Sequence, residues 1–263
     1  MSRTAIVTGA SSGIGRAVAA ELVKKDCKVY GFSRRSSSTE GVRCIACDIT
    51  DEKSVSDAVA RVISEAGRID ILVLCAGMGI SGAVEFTDEK DSCRQIEINL
   101  FGTDRVARAV LPHMRKQQSG NIVIISSVAA VAAIPFQTWY SVSKAALNTY
   151  SLALANEVRP YGVKVCAVMP GDIRTGFTDA RIKQHDGNEA YGGRIDRSVS
   201  KMEQDERKGM SPEKAGKKIA KVALKKNPKP YYSIGFSYSA ICVLLKILPA
   251  RLARFVLYHL YAK

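Results

Sequence analysis

Histidine is scarce in this sequence, and no metal-ligand or disulfide pattern is laid out in it. Its 263 residues include three histidines, His113, His185 and His259, far apart and outside any ligand motif, and an odd count of seven cysteines. Cys44 and Cys47 have metal-like spacing, yet no second such pair exists and an extended strand points them to opposite faces. No metal is expected, and Cys27, Cys44, Cys47, Cys75, Cys93, Cys166 and Cys242, mostly flanked by apolar residues, read as reduced and buried. No Pro/Gly/Ser linker and no internal repeat divides the chain, which argues for one large core. Met1-Ser2-Arg3 leaves no room for a targeting segment before the first strand, so a cytoplasmic location is expected. A membrane span is missing as well, because Lys246 and Pro249 interrupt the apolar tail too soon.

Acidic residues are thin towards the end of the chain. The formal charge is +14, and residues 171–263 carry 19 Lys/Arg against 9 Asp/Glu, or +10 of that total. Such a field attracts nucleic acid, an anionic membrane surface or an anionic substrate. No nucleic-acid module accompanies it, and Lys214 to Lys229 fall on an ordinary solvated helix and loop, so no nucleic-acid partner is expected.

What the sequence does have is a strand that runs through a glycine turn into a helix, Thr4-Ala5-Ile6-Val7-Thr8-Gly9-Ala10-Ser11-Ser12-Gly13-Ile14-Gly15. Ala5 to Val7 suits a buried parallel strand, and Ile14, Ala17, Val18 and Leu22 recur with helical period. Gly9 enters a tight turn, Gly13 lets amides approach an anion, and Gly15 lets the helix pack close to the sheet. With Ser11, Ser12 and Ile14 they leave the amides of the first helical turn facing a diphosphate. No lysine and hydroxyl pair follows Gly15, which disfavours a nucleotide-triphosphate loop.

Lys28 to Ser33 reads as a second strand, whose end is where an adenosine ribose lies in a doubly wound sheet. Ser33 is followed by Arg34, Arg35 and a serine run rather than by a carboxylate, so a ribose 2′-phosphate fits better than a free diol. Val42 to Cys47 is a third strand closed by Asp48 and Ile49; Asp48 is placed to touch an adenine amino group or to cap the helix from Asp51 onward, and the two roles are compatible. A fourth strand, Asp70 to Leu74, ends in the small residues Cys75, Ala76 and Gly77. Asp88 to Gln118 reads as one long helix or two short ones, with Asn99 an amide in an apolar setting that needs a partner. Asn121 to Ile125 and Val163 to Met169 are further strands, around a helix from Trp139 to Glu157. This alternation predicts an α/β fold with a doubly wound parallel sheet covered by helices on both faces.

The stretch from Asp172 to Gly209 breaks the pattern and reads as a polar, irregular lid or substrate wall. Ser211 and Pro212 then start a helix running to about Lys226, and Pro230 to Phe236 is a last strand. The apolar tail from Ile241 to Tyr261, with Lys246, Arg251 and Arg254 spaced through it, is either a lid helix or subunit contact, or a basic helix lying on a membrane.

Tyr140 and Lys144 stand four apart, on one helical face. A lysine this close, helped by an oxidised nicotinamide, is expected to favour the phenolate and bring Tyr140 towards a working pH as acid or base. Ser127, leaving the fifth strand, is placed to hydrogen-bond a reacting oxygen, and Asn99 to hold a water that links Lys144 to solvent. The chemistry permitted is hydride transfer at a carbinol or ketone.

Together, Thr8 to Gly15, Asn99, Ser127, Tyr140 with Lys144, and Pro170-Gly171 followed by Thr175 resemble the short-chain dehydrogenases/reductases over essentially residues 3 to 236. That resemblance implies a Rossmann-type domain of about seven strands, assembled into a homodimer or homotetramer through long helices. It implies a catalytic set of Asn99, Ser127, Tyr140 and Lys144, with Lys144 also on the nicotinamide ribose. Thr175 would sit beside the carboxamide and pyrophosphate with Pro170, Gly171 and Ile173, and Asp48 beside adenine. Cys75 departs from the family's usual asparagine, which ties neighbouring strands, and so puts local rigidity in question.

The resulting expectation is an NADP(H)-dependent oxidoreductase of a bulky apolar alcohol or ketone, with residues 1–236 as the catalytic domain, 172–210 as its lid and 237–263 as an extension. The insert and tail look like the branch near 17β-hydroxysteroid and retinol dehydrogenases, which also holds acyl-dihydroxyacetone-phosphate reductases. The alternatives are a 3-oxoacyl-thioester reductase, a non-catalytic cofactor-binding protein, and a protein whose main role is at a membrane surface.

Overall fold

Strand β1 (Thr4–Thr8) is buried throughout and turns into helix α1 (Gly13–Val23), the first half of the repeating unit. The chain continues through β2 (Lys28–Ser33), β3 (Val42–Ala46), α2 (Glu52–Ala66) and β4 (Ile71–Leu74). A two-residue strand β5 (Ile80–Ser81) precedes α3 (Glu89–Ile96), which passes through a π-helical turn at Glu97–Phe101 into α4 (Gly102–Gln117). Next come β6 (Gly120–Ile125), α5 (Thr138–Val158) and β7 (Val163–Pro170), then α6 (Phe177–Ala180), β8 (Ile182–Lys183), α7 (Arg194–Arg207) and α8 (Pro212–Ala223). Strand β9 (Tyr231–Ile234) and helices α9 (Phe236–Ile247) and α10 (Ala250–Tyr261) follow. This computed structural model describes residues 2–35 and 39–263; Met1 and the serine run at 36–38 lie outside them.

Seven strands form one parallel sheet in the order β3-β2-β1-β4-β6-β7-β9. β1 lies between β2 and β4, with Val7 opposite Gly31 on one side and Val73 on the other. The order of the strands reverses at this point, so their carboxyl ends splay into a crevice where a ligand can bind.

Alternation along the strands builds a core on each face. Ile6, Leu72, Ile122 and Ile124 pack with Val55 and Val59 of α2, Val106 and Val110 of α4, and Leu147 and Leu154 of α5. Ala5, Val7, Ile71, Val73 and Val123 pack on the other face with Val18 and Leu22 of α1 and Ile219 and Ala223 of α8. Truncating a fully buried side chain such as Leu22 to alanine costs about 2–5 kcal/mol. These two layers hold the strand ends, and therefore the site, in place.

Several expectations need correction. Helix α2 begins at Glu52 and is capped by Asp51, whose carboxylate accepts from the amides of Lys53 and Ser54; Asp48 does not cap it, because its own carboxylate is taken by Thr50. The segment 172–209 is not irregular: α7 runs through it, with Ile195, Val199 and Met202 burying one stripe against Ala83 and Phe136. The last strand stops at Ile234, and the tail is two helices broken at Leu248-Pro249. Helices α3 and α4 are joined by the π turn, which resolves the one-or-two question for 88–118.

Candidate active site

At the end of β1 the backbone turns through Gly9, whose φ of +66° is a left-handed conformation that favours glycine. Gly15 is needed for a different reason: a Cβ there would lie 2.3 Å from the carbonyl oxygen of Gly9. Thr8 closes the turn, its hydroxyl accepting hydrogen bonds from the amides of Cys75 (3.0 Å) and Ala76 (3.1 Å). This bridge ties β1 to the end of β4 without the asparagine that Cys75 replaces. Burial pushes the Cys75 thiol up to about 12, against the pull of the Lys144 charge.

The N-cap of α1, Ser12, makes no side-chain cap, so the first amides of that helix have no side-chain acceptor there and open onto the crevice. A cavity of about 780 Å³ runs along this edge of the sheet. It is lined by Gly9, Ser11, Ser12, Gly13, Ile14 and Gly15, by Ser33, Arg34 and Arg35 after β2, and by Asp48, Ile49, Ala76 and Gly77. Pro170, Gly171, Ile173 and Thr175 line it too, so every residue expected to hold a dinucleotide faces one cavity. The glycine turn, the uncapped helix and two arginines at the ribose end fit a dinucleotide carrying an extra phosphate. Thr50, by its amide and its hydroxyl, holds the Asp48 carboxyl below the usual carboxylate range, helped by Arg34 and Arg105.

Three of the four expected catalytic side chains, Ser127, Tyr140 and Lys144, line the same cavity. Ser127 leaves β6 and caps a short 3-10 turn, accepting from the amide of Ala129 at 3.1 Å. Tyr140 and Lys144 stand one turn apart on α5, and the Lys144 ammonium lies 5.7 Å from the phenol ring centroid. Lys144 is 6% exposed, and its Nζ donates to the carbonyl of Ile125 at 2.9 Å. Asn99 is fully buried in the π turn and does not line the cavity directly. Its side chain clamps residue 78, accepting from the Met78 amide (2.8 Å) and donating to the Met78 carbonyl (3.0 Å) and the Ser143 hydroxyl (3.0 Å). Its own carbonyl accepts from Thr103.

Burial dominates the electrostatics of this pair. The protein's own groups do not bring Tyr140 down: burial pushes its phenol up to about 12, with a hydrogen bond from Ser127 and the charge of Arg181 pulling the other way. Burial brings the Lys144 ammonium down to about 8. Burial thus favours the protonated phenol at neutral pH.

Groups beyond the expected set complete the cavity. Asp172, just after β7, accepts a hydrogen bond from Tyr238 of α9, and burial raises its carboxyl. Phe177 lies 5.8 Å from the Tyr140 ring, and Glu206 of α7 pairs with Arg181 and accepts from Thr178 at 2.6 Å. Ile241 of α9 and Leu257, Leu260 and Tyr261 of α10 supply apolar wall. The position of Asp172 directly behind Pro170-Gly171 is the one sequence signal that points to any of these. Among the described residues no group of His, Cys, Asp or Glu is arranged to hold a metal ion, and the seven cysteines form no disulfide.

A dinucleotide crevice at the switch of a parallel sheet, with a phenol, a hydroxyl and an ammonium beside it, defines a nicotinamide-dependent oxidoreductase. The chain belongs to the short chain dehydrogenase family, whose profile matches residues 3–186. It is 46% identical over 226 residues to the 3-ketodihydrosphingosine reductase of Bacteroides thetaiotaomicron, covering 85% of this chain and 84% of that protein. A short-chain dehydrogenase from Streptomyces avermitilis superposes with a TM-score of 0.85 at 30% identity, over 98% of this chain and 96% of that one. ElxO, solved with NADP bound, gives a TM-score of 0.75 at 28% identity, over 91% of this chain and all of its own.

Proposed function

We propose that this oxidoreductase uses NADPH to reduce the ketone of a long-chain lipid, with Tyr140 as proton donor. The observation that carries the reading is the convergence of Ser127, Tyr140 and Lys144 on a cavity whose far end is basic and whose near wall is apolar. The NADP-bound relative supports the cofactor, and the 3-ketodihydrosphingosine reductase supports the acyl-lipid member of the apolar-ketone class.

When bound, the reduced nicotinamide supplies a hydride to the carbonyl carbon. The turn at Gly9–Gly15 and the amides opening α1 hold the diphosphate, and Arg34 with Arg35 holds the 2′-phosphate. Ser127 directs its hydroxyl at the carbonyl oxygen and stabilises the negative charge that grows there. Tyr140 delivers its proton to that oxygen, giving the alcohol. A phenol held near 12 starts protonated and is a strong enough acid for a nascent alkoxide, which favours the reductive direction. Lys144 contributes positive charge beside the phenol and the nicotinamide ribose. Asn99 acts on the site by fixing residue 78 and bending the helix that passes it.

Val142 and Leu152 on α5 are exposed, which supports a homodimer or homotetramer built through long helices. The odd number of cysteines, mostly flanked by apolar residues, supports a reducing, cytoplasmic compartment. The test follows NADPH oxidation with 3-ketodihydrosphingosine, steroid ketones, retinal and short 3-oxoesters. Turnover should be confined to the long-chain ketone, and Tyr140→Phe should lower it by about 10²–10⁴. An unchanged rate in Tyr140→Phe would remove the proton donor from the mechanism.

A further inference from the structure

Helices α9 and α10 have two different faces. Inward, Tyr238, Cys242, Leu245 and Leu257 pack around Val128, Ala132 and Met169, while Tyr261 and Ala262 pack on Ile195, Val199 and Met202 of the lid. Outward, Val243 is 58% exposed, Ile247 76% and Phe255 59%, and Leu244 and Leu252 join them. Large apolar side chains exposed in this number on two successive helices mark an interaction site. Each helix is 12 residues long, and no helix among the described residues is long and apolar enough to cross a membrane.

Charge selects the partner. Residues 214–263 contain eleven Lys/Arg and no Asp or Glu, and Arg251 and Arg254 are exposed beside Leu252 and Phe255. Arginines interleaved with large apolar side chains, on helices that carry no acidic residue of their own, match a surface that is apolar below and anionic above. A second feature connects this face to the site. Ile241 and Leu260 both line the cavity, and they remain 39% and 55% exposed, so the same two side chains border the cavity and the outer apolar face.

We propose that the outer faces of α9 and α10 dock on an anionic lipid bilayer, and that an acyl chain passes between bilayer and cavity beside Ile241 and Leu260. The passage rests on the lipid-ketone reading; the docking does not. Docking places the cavity mouth at the depth of the acyl chains, so the ketone reaches Tyr140 without its chain crossing water.

The experiment sediments the full chain with vesicles of phosphatidylcholine alone and of phosphatidylcholine with phosphatidylglycerol, and measures turnover in parallel. Binding is expected to the phosphatidylglycerol vesicles, at least tenfold stronger than to phosphatidylcholine alone. The double change Ile247→Glu with Phe255→Glu should abolish it. That variant should keep its melting temperature and the wild-type rate on a short soluble ketone, and lose turnover of a long-chain ketone held in vesicles. Arg251→Gln with Arg254→Gln, which leaves the apolar face intact, should remove only the preference for anionic vesicles. Absence of vesicle binding by the wild-type chain overturns the docking. So does an oligomer that the double glutamate variant breaks apart while vesicles go unbound, since the face then meets a second copy. Binding that survives both variants overturns it equally. Normal vesicle binding with no turnover of any ketone, soluble or vesicle-borne, instead retires the lipid-ketone reading and the passage with it, leaving the docking in place.

Discussion

Lys144→Met is the perturbation whose size the structure fixes most directly. In the folded protein the ammonium titrates near 8, against an ordinary value of 10.5, because burial disfavours its charged form. The sign follows from proton binding in the two states. Below about pH 8 both folded and unfolded chains hold the proton, and the folded state carries the full cost of a buried charge. Between about 8 and 10.5 the folded chain has released the proton while the unfolded chain keeps it, so stability rises with pH by about 1.4 kcal/mol per pH unit. Between pH 7 and pH 10 the wild-type chain should therefore gain about 2.5 kcal/mol that Lys144→Met does not gain. At pH 7 itself the variant is relieved of the buried charge but leaves the Ile125 carbonyl without its 2.9 Å donor, an opposing loss of about 1–3 kcal/mol. The informative quantity is therefore the change with pH. Urea unfolding of both proteins at pH 7 and pH 10, followed by circular dichroism, gives it as a difference of differences in which other titrations cancel. A stability gap that stays constant within about 0.5 kcal/mol across this range would show that Lys144 is not held at a depressed pKa, and the electrostatic description of the site would fail with it.

Two further outcomes test the cofactor crevice. Arg34→Ala with Arg35→Ala should weaken NADPH binding at least tenfold while leaving NADH binding within about twofold, because a charge-assisted phosphate contact is lost and nothing else; isothermal titration with both nucleotides measures it, and equal weakening would make the arginines surface charge. Gly15→Ala forces a Cβ into the 2.3 Å gap before the Gly9 carbonyl, so the turn must open. NADPH binding should fall by more than tenfold and the melting temperature should drop, whereas unchanged nucleotide affinity would mean the turn does not hold the diphosphate.

The parts legible in the sequence are those governed by short-range rules. The strand, turn and helix of residues 4–23 follow from branched apolar residues, glycine spacing and a 3.6-residue stripe, and all three act within one contiguous segment. Tyr140 and Lys144 are neighbours because a helix makes them so. Where reading fell short, the determinant was either distant or collective. Helix α7 carries its apolar residues at Ile195, Val199 and Met202, a helical spacing hidden by the polar residues between them. The Tyr238 to Asp172 hydrogen bond joins residues 66 apart, and no local pattern announces it. Asp48 and Asp51 are both plausible caps for one helix, and only the backbone path decides for Asp51. The phenol of Tyr140 shows the collective kind of failure: a neighbouring lysine is visible in sequence, whereas the desolvation that raises the phenol belongs to the packed cavity.

That failure bears on how the site works. An enzyme whose lysine alone drew the phenol down to neutral pH would hold a base ready, and would suit oxidation of an alcohol as well as reduction of a ketone. Here burial holds the phenol near 12 and the ammonium near 8, which favours the protonated form of both at pH 7, with the ammonium turned to the Ile125 carbonyl. Ile241, Leu257, Leu260 and Tyr261 of α9 and α10 form part of the wall of this cavity, and excluding water from such a cavity is what moves both pKa values. The same two helices carry the outward apolar face, and only Ile241 and Leu260 belong to both the cavity wall and that face. Loosening that wall should therefore lower the phenol pKa as well as the affinity for long chains, which couples substrate class to reaction direction through burial alone.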